Sequence, residues 1–456
     1  MPRPRVLRRT GSTAIGLAGL FVLIVQFATP AGAANLTVWV PPPSGVDDTA
    51  ALQAALDRCV AHGRGCTVEL ATGLYLTRQL VACDFRGTFR GRGRDLTTLE
   101  ALPGLKVDHL ASATEPGVFW PPSPERPWPS LVTFVDGDVR VSDLAIRIPH
   151  VPSTDPYEMM PGWSLSVLID AIRFMGQRRT DATVERVSVE GREDPMTGFW
   201  GFNVANAVTY AGELPTGSGL PFDYYPITGH LAVRSSHFKS VASGVYPTVV
   251  HDGRVTIGGS PSAGNVIENV SVGADLETLQ GSVVDVSHNR VDGARWAAAW
   301  AIPWCTIDCV VPSTPSHFSI HDNHLVPAGD DADGIVLADD ETTPWIKAHV
   351  FHNTIEAQAI GYGAISAYNT RGARIHGNRI SGSGADAIGI WNGRSALVLR
   401  NDVEDFAADA TAEYGHAQIV LGDTTEDSRV VCRTLGDTVL DQGTGNRLIG
   451  CQPVTP

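Results

Sequence analysis

The second half of the chain repeats one short pattern: apolar, any, any, Asn, any, apolar. Clear copies are Val286 to Val291, Ile320 to Leu325, Val350 to Ile355, Ile375 to Ile380 and Val398 to Val403. An earlier copy, Gly264-Asn265-Val266-Ile267, lacks a clean apolar residue three before its Asn. The asparagines 265, 289, 323, 353, 378 and 401 step by 24, 34, 30, 25 and 23 residues. A period of this size is one coil of a solenoid built from short strands. A second alternating run follows roughly ten residues after the later asparagines. It places Ile335, Leu337, Ile365, Ile388, Ile390, Ile419 and Leu421 on one side of their strands, where stacked coils bury them together. Each Asn is expected in a tight, partly left-handed bend, its amide bonding the Asn above and below as an asparagine ladder.

The N-terminal part fits the same picture. Ala50 to Cys59 reads as a short helix with Leu52, Ala55, Leu56 and Cys59 on one face and Asp47 or Asp48 as N-cap. It would cover the open edge of the first coil. Thr67 to Leu70, a turn, and Leu74 to Leu76 read as strand, turn, strand. The predicted fold class is all-β: a single-stranded right-handed parallel β-helix, or solenoid, with a short N-terminal capping α-helix.

The first 33 residues are expected to be a signal peptide. Arg3, Arg5, Arg8 and Arg9 precede an apolar run from Ile15 to Phe27, and Ala31-Gly32-Ala33 offers a cleavage site near Ala33. The alternative, an uncleaved anchor, is weakened because the run is shorter than the ~20 residues a span needs. A secreted or periplasmic protein with no stable membrane span after cleavage follows. Residues 34–456 then form one domain, with a cap at 45–60, coils over about 66–451, and loop insertions near 111–130, 149–164 and 211–229.

Composition narrows the partners. Apolar residues make up 43% and charged residues 18%, as in a folded chain. The net charge is −15, and Lys106, Lys239 and Lys347 are the three lysines. This excludes a nucleic-acid partner, whose phosphates need neutralising. It argues less strongly against a polyanionic glycan, since a bound cation can bridge two acidic partners. Export makes disulfides plausible for the seven cysteines. Cys59 with Cys66, Cys305 with Cys309 and Cys432 with Cys451 are the expected pairs, and Cys83 is left over or displaces a partner in the first.

Three segments carry a family resemblance. They are Val46-Asp47-Asp48-Thr49-Ala50-Ala51-Leu52-Gln53-Ala54-Ala55-Leu56, Thr67 to Leu70 followed by Gly73-Leu74-Tyr75, and Gly91-Arg92-Gly93 before Thr97 to Glu100. With the Asn repeats, they resemble the pectate-lyase-like parallel β-helix superfamily. The resemblance implies the fold. It does not choose a reaction, because that superfamily includes polysaccharide lyases, glycosidases, epimerases and non-enzymatic spikes. It also implies that ligands lie along one outer sheet and the turn leading into it.

On that sheet, polar residues inside apolar strands are the candidates for acid/base work on a sugar. Asp170 and Arg173 lie on one strand, Asn203 and Asn206 on the next, and Tyr246 on a third that leads to His251 and Asp252. The structural alternative is an Asp170–Arg173 ion pair closing a turn, with His251 and Asp252 in an ordinary exposed turn. A lyase would use Arg173 and His251; a hydrolase would draw two carboxylates from Asp170, Asp194, Asp252 and Asp333. Tyr157, Trp163, Trp200, Tyr368 and Trp391 are candidate sugar-stacking residues, or else pin loops to the solenoid. Carboxylates Asp330, Asp331, Asp333, Asp339, Asp340, Glu341 and Asp386 suggest a possible calcium site or solvated turns. His288, His321, His324, His352 and His376, beside the asparagines, read as turn and ladder residues. The expected partner is a polysaccharide or glycan, cleaved by a lyase or glycoside hydrolase. The alternative is a non-catalytic glycan-binding or surface-adhesion protein.

Overall fold

Strands of successive coils pair in parallel and in register. Val283–Ser287 pairs with Ser316–His321, which pairs with Ile346–Phe351 and then Arg374–His376, Leu397–Leu399, Arg429–Val431 and Arg447–Ile449. Two further ladders run the same way. One passes through His324–Pro327, Thr354–Glu356, Arg379–Ser381 and Asp402–Glu404. The other passes through Asp333–Ala338, Ile365–Tyr368, Ile388–Trp391, Ile419–Leu421, Thr438–Asp441 and Gln452–Val454. The last of these is called the first sheet below; the ladder before the asparagines is the second sheet, and the ladder after them the third. In earlier coils a single bent strand, such as Asp170–Glu190 or Val266–Gln280, serves more than one ladder.

The computed structural model describes residues 35–102, 130–149, 157–160, 163–165, 170–193, 201–212, 226–302, 314–328, 332–339, 346–357, 363–382, 386–404 and 417–454. The segment expected to be a signal peptide, and Cys305 with Cys309, lie outside the described residues. Among the described residues no helix is long and apolar enough to cross a membrane.

One continuous apolar core runs from Val38 to Val439. It contains Ile335, Leu337, Ile365, Ile388, Ile390, Ile419 and Leu421, all facing inward as their alternation requires. Phe85, Phe134 and Phe174 stack through three coils with centroids 5.4 and 5.7 Å apart. The stacked parallel coils are the architecture that the family resemblance implied.

The ladder of amides is continuous. The Asn265 Nδ2 donates to Asn289 Oδ1, Asn289 to Asn323, Asn323 to Asn353, Asn353 to Asn378 and Asn378 to Asn401, all at 2.9–3.0 Å. The backbone N–H of each also donates to the next Oδ1. One expectation is corrected: the left-handed residue is the one before the Asn. His288, Asp322, His352, Gly377 and Arg400 have φ of 59, 55 or nearby positive values, down to 47. The Asn itself is held in place by its own bonds, and the chain reverses one residue earlier. Gly377 is the glycine in this series, at the position where a side chain is strained.

The helix is longer than expected, Thr49–His62, with Leu52, Ala55, Leu56 and Cys59 buried. Asp48 stands at its N-cap but makes no side-chain cap bond. Its carboxylate instead accepts from Ser44 N and Leu76 N, tying the helix start to the coil. Asp47 Oδ1 accepts from Thr49 N. Cys59–Cys66 and Cys432–Cys451 are bonded, and exposed Cys83 belongs to neither bond.

Candidate active site

The outer face of the first sheet carries a column of side chains, one per coil. Thr133, Arg173, Thr209 and Tyr246 are in direct register. Pairing of Val245 with Ala274 and of Thr248 with Glu277 puts Asp275 next to Tyr246. Trp300, Val336 and Ser366 then continue the column. Coils are ~4.8 Å apart, so neighbours in the column touch.

Asp275 and Glu277 are the chemical centre of this face. They alternate with Ala274 and Leu276, which belong to the core, so both carboxyls point outward on the same side. Ser243 Oγ donates to Asp275 Oδ2 at 2.9 Å, and Tyr246 OH donates to Glu277 Oε2 at 2.6 Å. The two carboxyls also hydrogen-bond each other. Asp275 is 6% exposed and Glu277 is half-buried.

Burial, and then the charge of Glu277, push the Asp275 carboxyl well above the usual carboxylate range. Burial also raises Glu277, against the hydrogen bonds from Tyr246 and Asp275 that favour its ionised form. Burial and the two nearby carboxylates keep Tyr246 a neutral phenol and hence a donor. Burial thus favours a proton on the pair, and Asp275 is raised the further of the two. Beside it, the Trp300 indole Nε1 is buried and meets no acceptor, and Trp296, 40% exposed, stacks on Trp300 with centroids 5.7 Å apart. An aromatic face and an unmatched donor next to an acid form a surface suited to a sugar ring and its hydroxyls.

The structure places the other nominated residues as follows. Asp170 is fully buried, 2.7 Å from Arg173 Nη1, and also accepts from Asn206 Nδ2 at 2.7 Å. Burial raises its pKa despite Arg173. Arg173 and Tyr246 share the column with Asp275. Asn203 is buried elsewhere, where it accepts from Arg192 N and donates to Ile148 O, bracing a turn. His251 ends strand His237–His251 and Asp252 follows at φ 48, so both lie at the corner beyond the first sheet. Burial lowers the His251 pKa, opposed by Asp252. Tyr157 and Trp163 fall in an antiparallel pair, Tyr157–Met160 with Trp163–Leu165; their side chains, and Asp194 and Trp200 entirely, lie outside the described residues.

Tyr368 and Trp391 are in register on the first sheet, three and four coils past Glu277, about 14 and 19 Å along the axis. The Trp391 indole lies across Gly389 and Gly422, where a Cβ would come within 2.5 and 2.7 Å of the ring. It also packs against Ala417, Val420 and Leu440. Asp330, Asp331, Asp340 and Glu341 lie outside the described residues. Among those described, no three His, Cys, Asp or Glu side chains converge as a metal site.

Asp333 sits two coils beyond Asp275 and accepts from Ser366 Oγ at 2.7 Å. Burial raises its pKa to about 7 from 3.8. Because the folded value is the higher one, its contribution to stability is full below pH 4 and is lost as pH rises through 7. The gap converts to roughly 4 kcal/mol at 1.36 kcal/mol per pH unit. Asp333→Asn is therefore expected to gain several kcal/mol relative to the parent between pH 4 and pH 9. Denaturant unfolding of both proteins at the two pH values measures this; an unchanged difference would refute the assignment.

Asp275 and Glu277 were not among the residues nominated from the sequence. The signal was present: Ala274-Asp275-Leu276-Glu277 lies about ten residues after Asn265, where the repeat places a first-sheet strand, and its charges fall on the outward parity.

No protein-family model and no curated protein matches the sequence. Among solved structures, an Azotobacter vinelandii mannuronan C-5 epimerase A-module (AlgE6) aligns over 90% of this chain and 96% of its own, at 14% identity and a TM-score of 0.46. The catalytic unit of a GH87 α-1,3-glucanase from Streptomyces thermodiastaticus aligns over 91% and 69%, at 13% identity and a TM-score of 0.45. The tailspike of E. coli bacteriophage HK620 aligns over 91% and 80%, at 11% identity and a TM-score of 0.45. These likenesses are too distant to carry an argument about the reaction, which rests on register and side chains.

Proposed function

We propose that this chain is an exported carbohydrate-active enzyme that cleaves a glycan by hydrolysis, with Asp275 as the acid. The supporting observation is the hydrogen-bonded Asp275–Glu277 pair on the outer face of the first sheet, held by Ser243 and Tyr246. In this reading the solenoid winds right-handed, as parallel crossovers do. The helix Thr49–His62 caps its first coil, and the leader ending near Ala33 directs export.

Asp275 gives its proton to the glycosidic oxygen as the bond breaks. Glu277, ionised and braced by Tyr246, faces the positive charge that develops on the sugar ring. Water then bonds to the anomeric carbon and gives its proton to the carboxylate left on Asp275, which restores the acid. The hydrogen-bonded carboxyls stand closer than the ~5 Å that separates acid and nucleophile in retaining enzymes, so Glu277 acts as a counter-charge rather than a nucleophile.

Two alternatives are less well supported. β-Elimination needs a base and a cation beside the uronate. The hydrogen-bond donors to the pair, Ser243 and Tyr246, are neutral, and Arg173 is already bound to Asp170. A purely adhesive surface gains nothing from burying two carboxyls at the expense of stability. Incubation with a panel of neutral and acidic glycans is expected to release new reducing ends without the absorbance of an unsaturated product. Appearance of that absorbance would make the protein a lyase, and binding without either product would make it an adhesin.

A further inference from the structure

The second sheet carries a separate groove of about 700 Å³, one face away from the carboxyl pair. Its floor is a column of small outward residues, Thr183, Ala232 and Thr256, in register on successive coils. Short side chains there make the surface concave, and the turn carrying Ser260 adds a wall. Arg254 flanks the floor on one side, and Arg234 stands on the other side one coil earlier.

The charges in this groove are unequally matched. Asp181 already accepts from Arg179 and from the His230 backbone N–H. Asp285 accepts from Ser287 Oγ at 2.6 Å and lies 3.4 Å from His321 Nε2. Among the described residues, by contrast, no carboxylate pairs with Arg234 or Arg254, although the chain carries a net charge of −15. Their Cα atoms are roughly 14 Å apart on a diagonal, four residues along a strand and one coil across. Two extended guanidinium side chains close that span onto one small anion.

We propose that this groove binds an acidic saccharide, with Arg234 and Arg254 clasping its carboxylate and the hydroxyls of Thr183, Thr256 and Ser260 meeting its ring hydroxyls. A guanidinium fork matches a carboxylate in geometry and strengthens its hydrogen bonds through charge. No Trp, Tyr or Phe is among the groove's described lining residues, so it offers no platform for stacking a nucleobase. Two cations suit one anionic group and not a polyphosphate chain. The site is independent of the proposed hydrolysis and holds whether or not the Asp275–Glu277 pair is catalytic.

The test is titration calorimetry with trigalacturonate as the acidic probe and maltotriose as the neutral one. Millimolar or tighter binding of trigalacturonate is expected, weakening as salt rises. The double variant Arg234→Gln, Arg254→Gln should lose at least tenfold in affinity with an unchanged circular dichroism spectrum. Arg254→Lys should fall between, keeping the charge but not the fork. Asp275→Asn should bind the probe as the parent does, which separates this groove from the carboxyl pair. The proposal is overturned by absence of trigalacturonate binding, by equal affinity in the double variant, or by maltotriose binding as tightly.

Discussion

Replacing Asp275 with asparagine is expected to lower the rate of glycan hydrolysis by about 10²–10⁴-fold, the usual contribution of a positioned acid. The substitution keeps the shape of the side chain and its capacity to accept from Ser243 Oγ, so the coil should stay folded. It removes the carboxyl whose pKa burial and the Glu277 charge push upward. As for Asp333, stability relative to the parent should rise as pH increases from 4 towards neutral, since a buried acid is exchanged for a neutral amide. Loss of activity together with loss of fold would leave a structural role for Asp275; loss of activity alone assigns it to the reaction. Tyr246→Phe separates the second carboxyl. It removes the donor to Glu277 Oε2 but leaves the ring, so activity should fall less and the acidic limb of the pH profile should move upward. These comparisons need steady-state rates on whichever glycan is cleaved, with thermal melts of each variant.

The second large effect concerns the fold. Asn323 sits in the middle of the amide ladder and uses its full hydrogen-bonding capacity. Its Nδ2 donates to Val286 O and Asn353 Oδ1, and its Oδ1 accepts from Asn289 N and Asn289 Nδ2. It is 2% exposed, so water cannot replace what is lost. Asn323→Ala leaves a backbone carbonyl and a backbone N–H unmet inside the coil and cuts the ladder in two. At about 1–3 kcal/mol for each buried group left without a partner, the expected loss is about 3–5 kcal/mol. Denaturant unfolding measures it. A loss below about 1 kcal/mol would mean that the ladder is a consequence of stacking rather than a support for it.

Most of the architecture could be read from periodicity because a solenoid repeats its contacts. The spacing of the asparagines identified the coil, and the alternation in Ile335, Leu337, Ile388 and Ile390 identified the inward face. What periodicity could not fix was local geometry. The left-handed bend falls on Asp322 and His352 rather than on the asparagines, because the side-chain bonds of the Asn hold it extended while the preceding residue turns. Asp48 likewise turns its carboxylate to Ser44 and Leu76, a tertiary contact that helix statistics do not contain.

The site was less legible for a related reason. Asp170, Arg173 and Tyr246 were found as polar residues in apolar strands. Register then joined Arg173 and Tyr246 to Asp275 but sent His251 and Asp252 to a corner. A corner within a long continuous strand such as His237–His251 leaves no break in the sequence pattern. The Asp275–Glu277 pair lies on the least regular copy of the repeat, where Ser262 replaces the usual apolar residue three before the Asn, so the repeat marks the strand after it less clearly.

Infrared difference spectroscopy of the folded protein at pH 6 tests the central claim most directly, because it needs no substrate. Asp333, raised to about 7, is also largely protonated at that pH, so the parent is expected to show protonated-carboxyl absorption of which one part disappears in Asp275→Asn and another in Asp333→Asn. A parent spectrum with Asp275 already ionised at that pH, the same as that of Asp275→Asn in this region, would contradict the account.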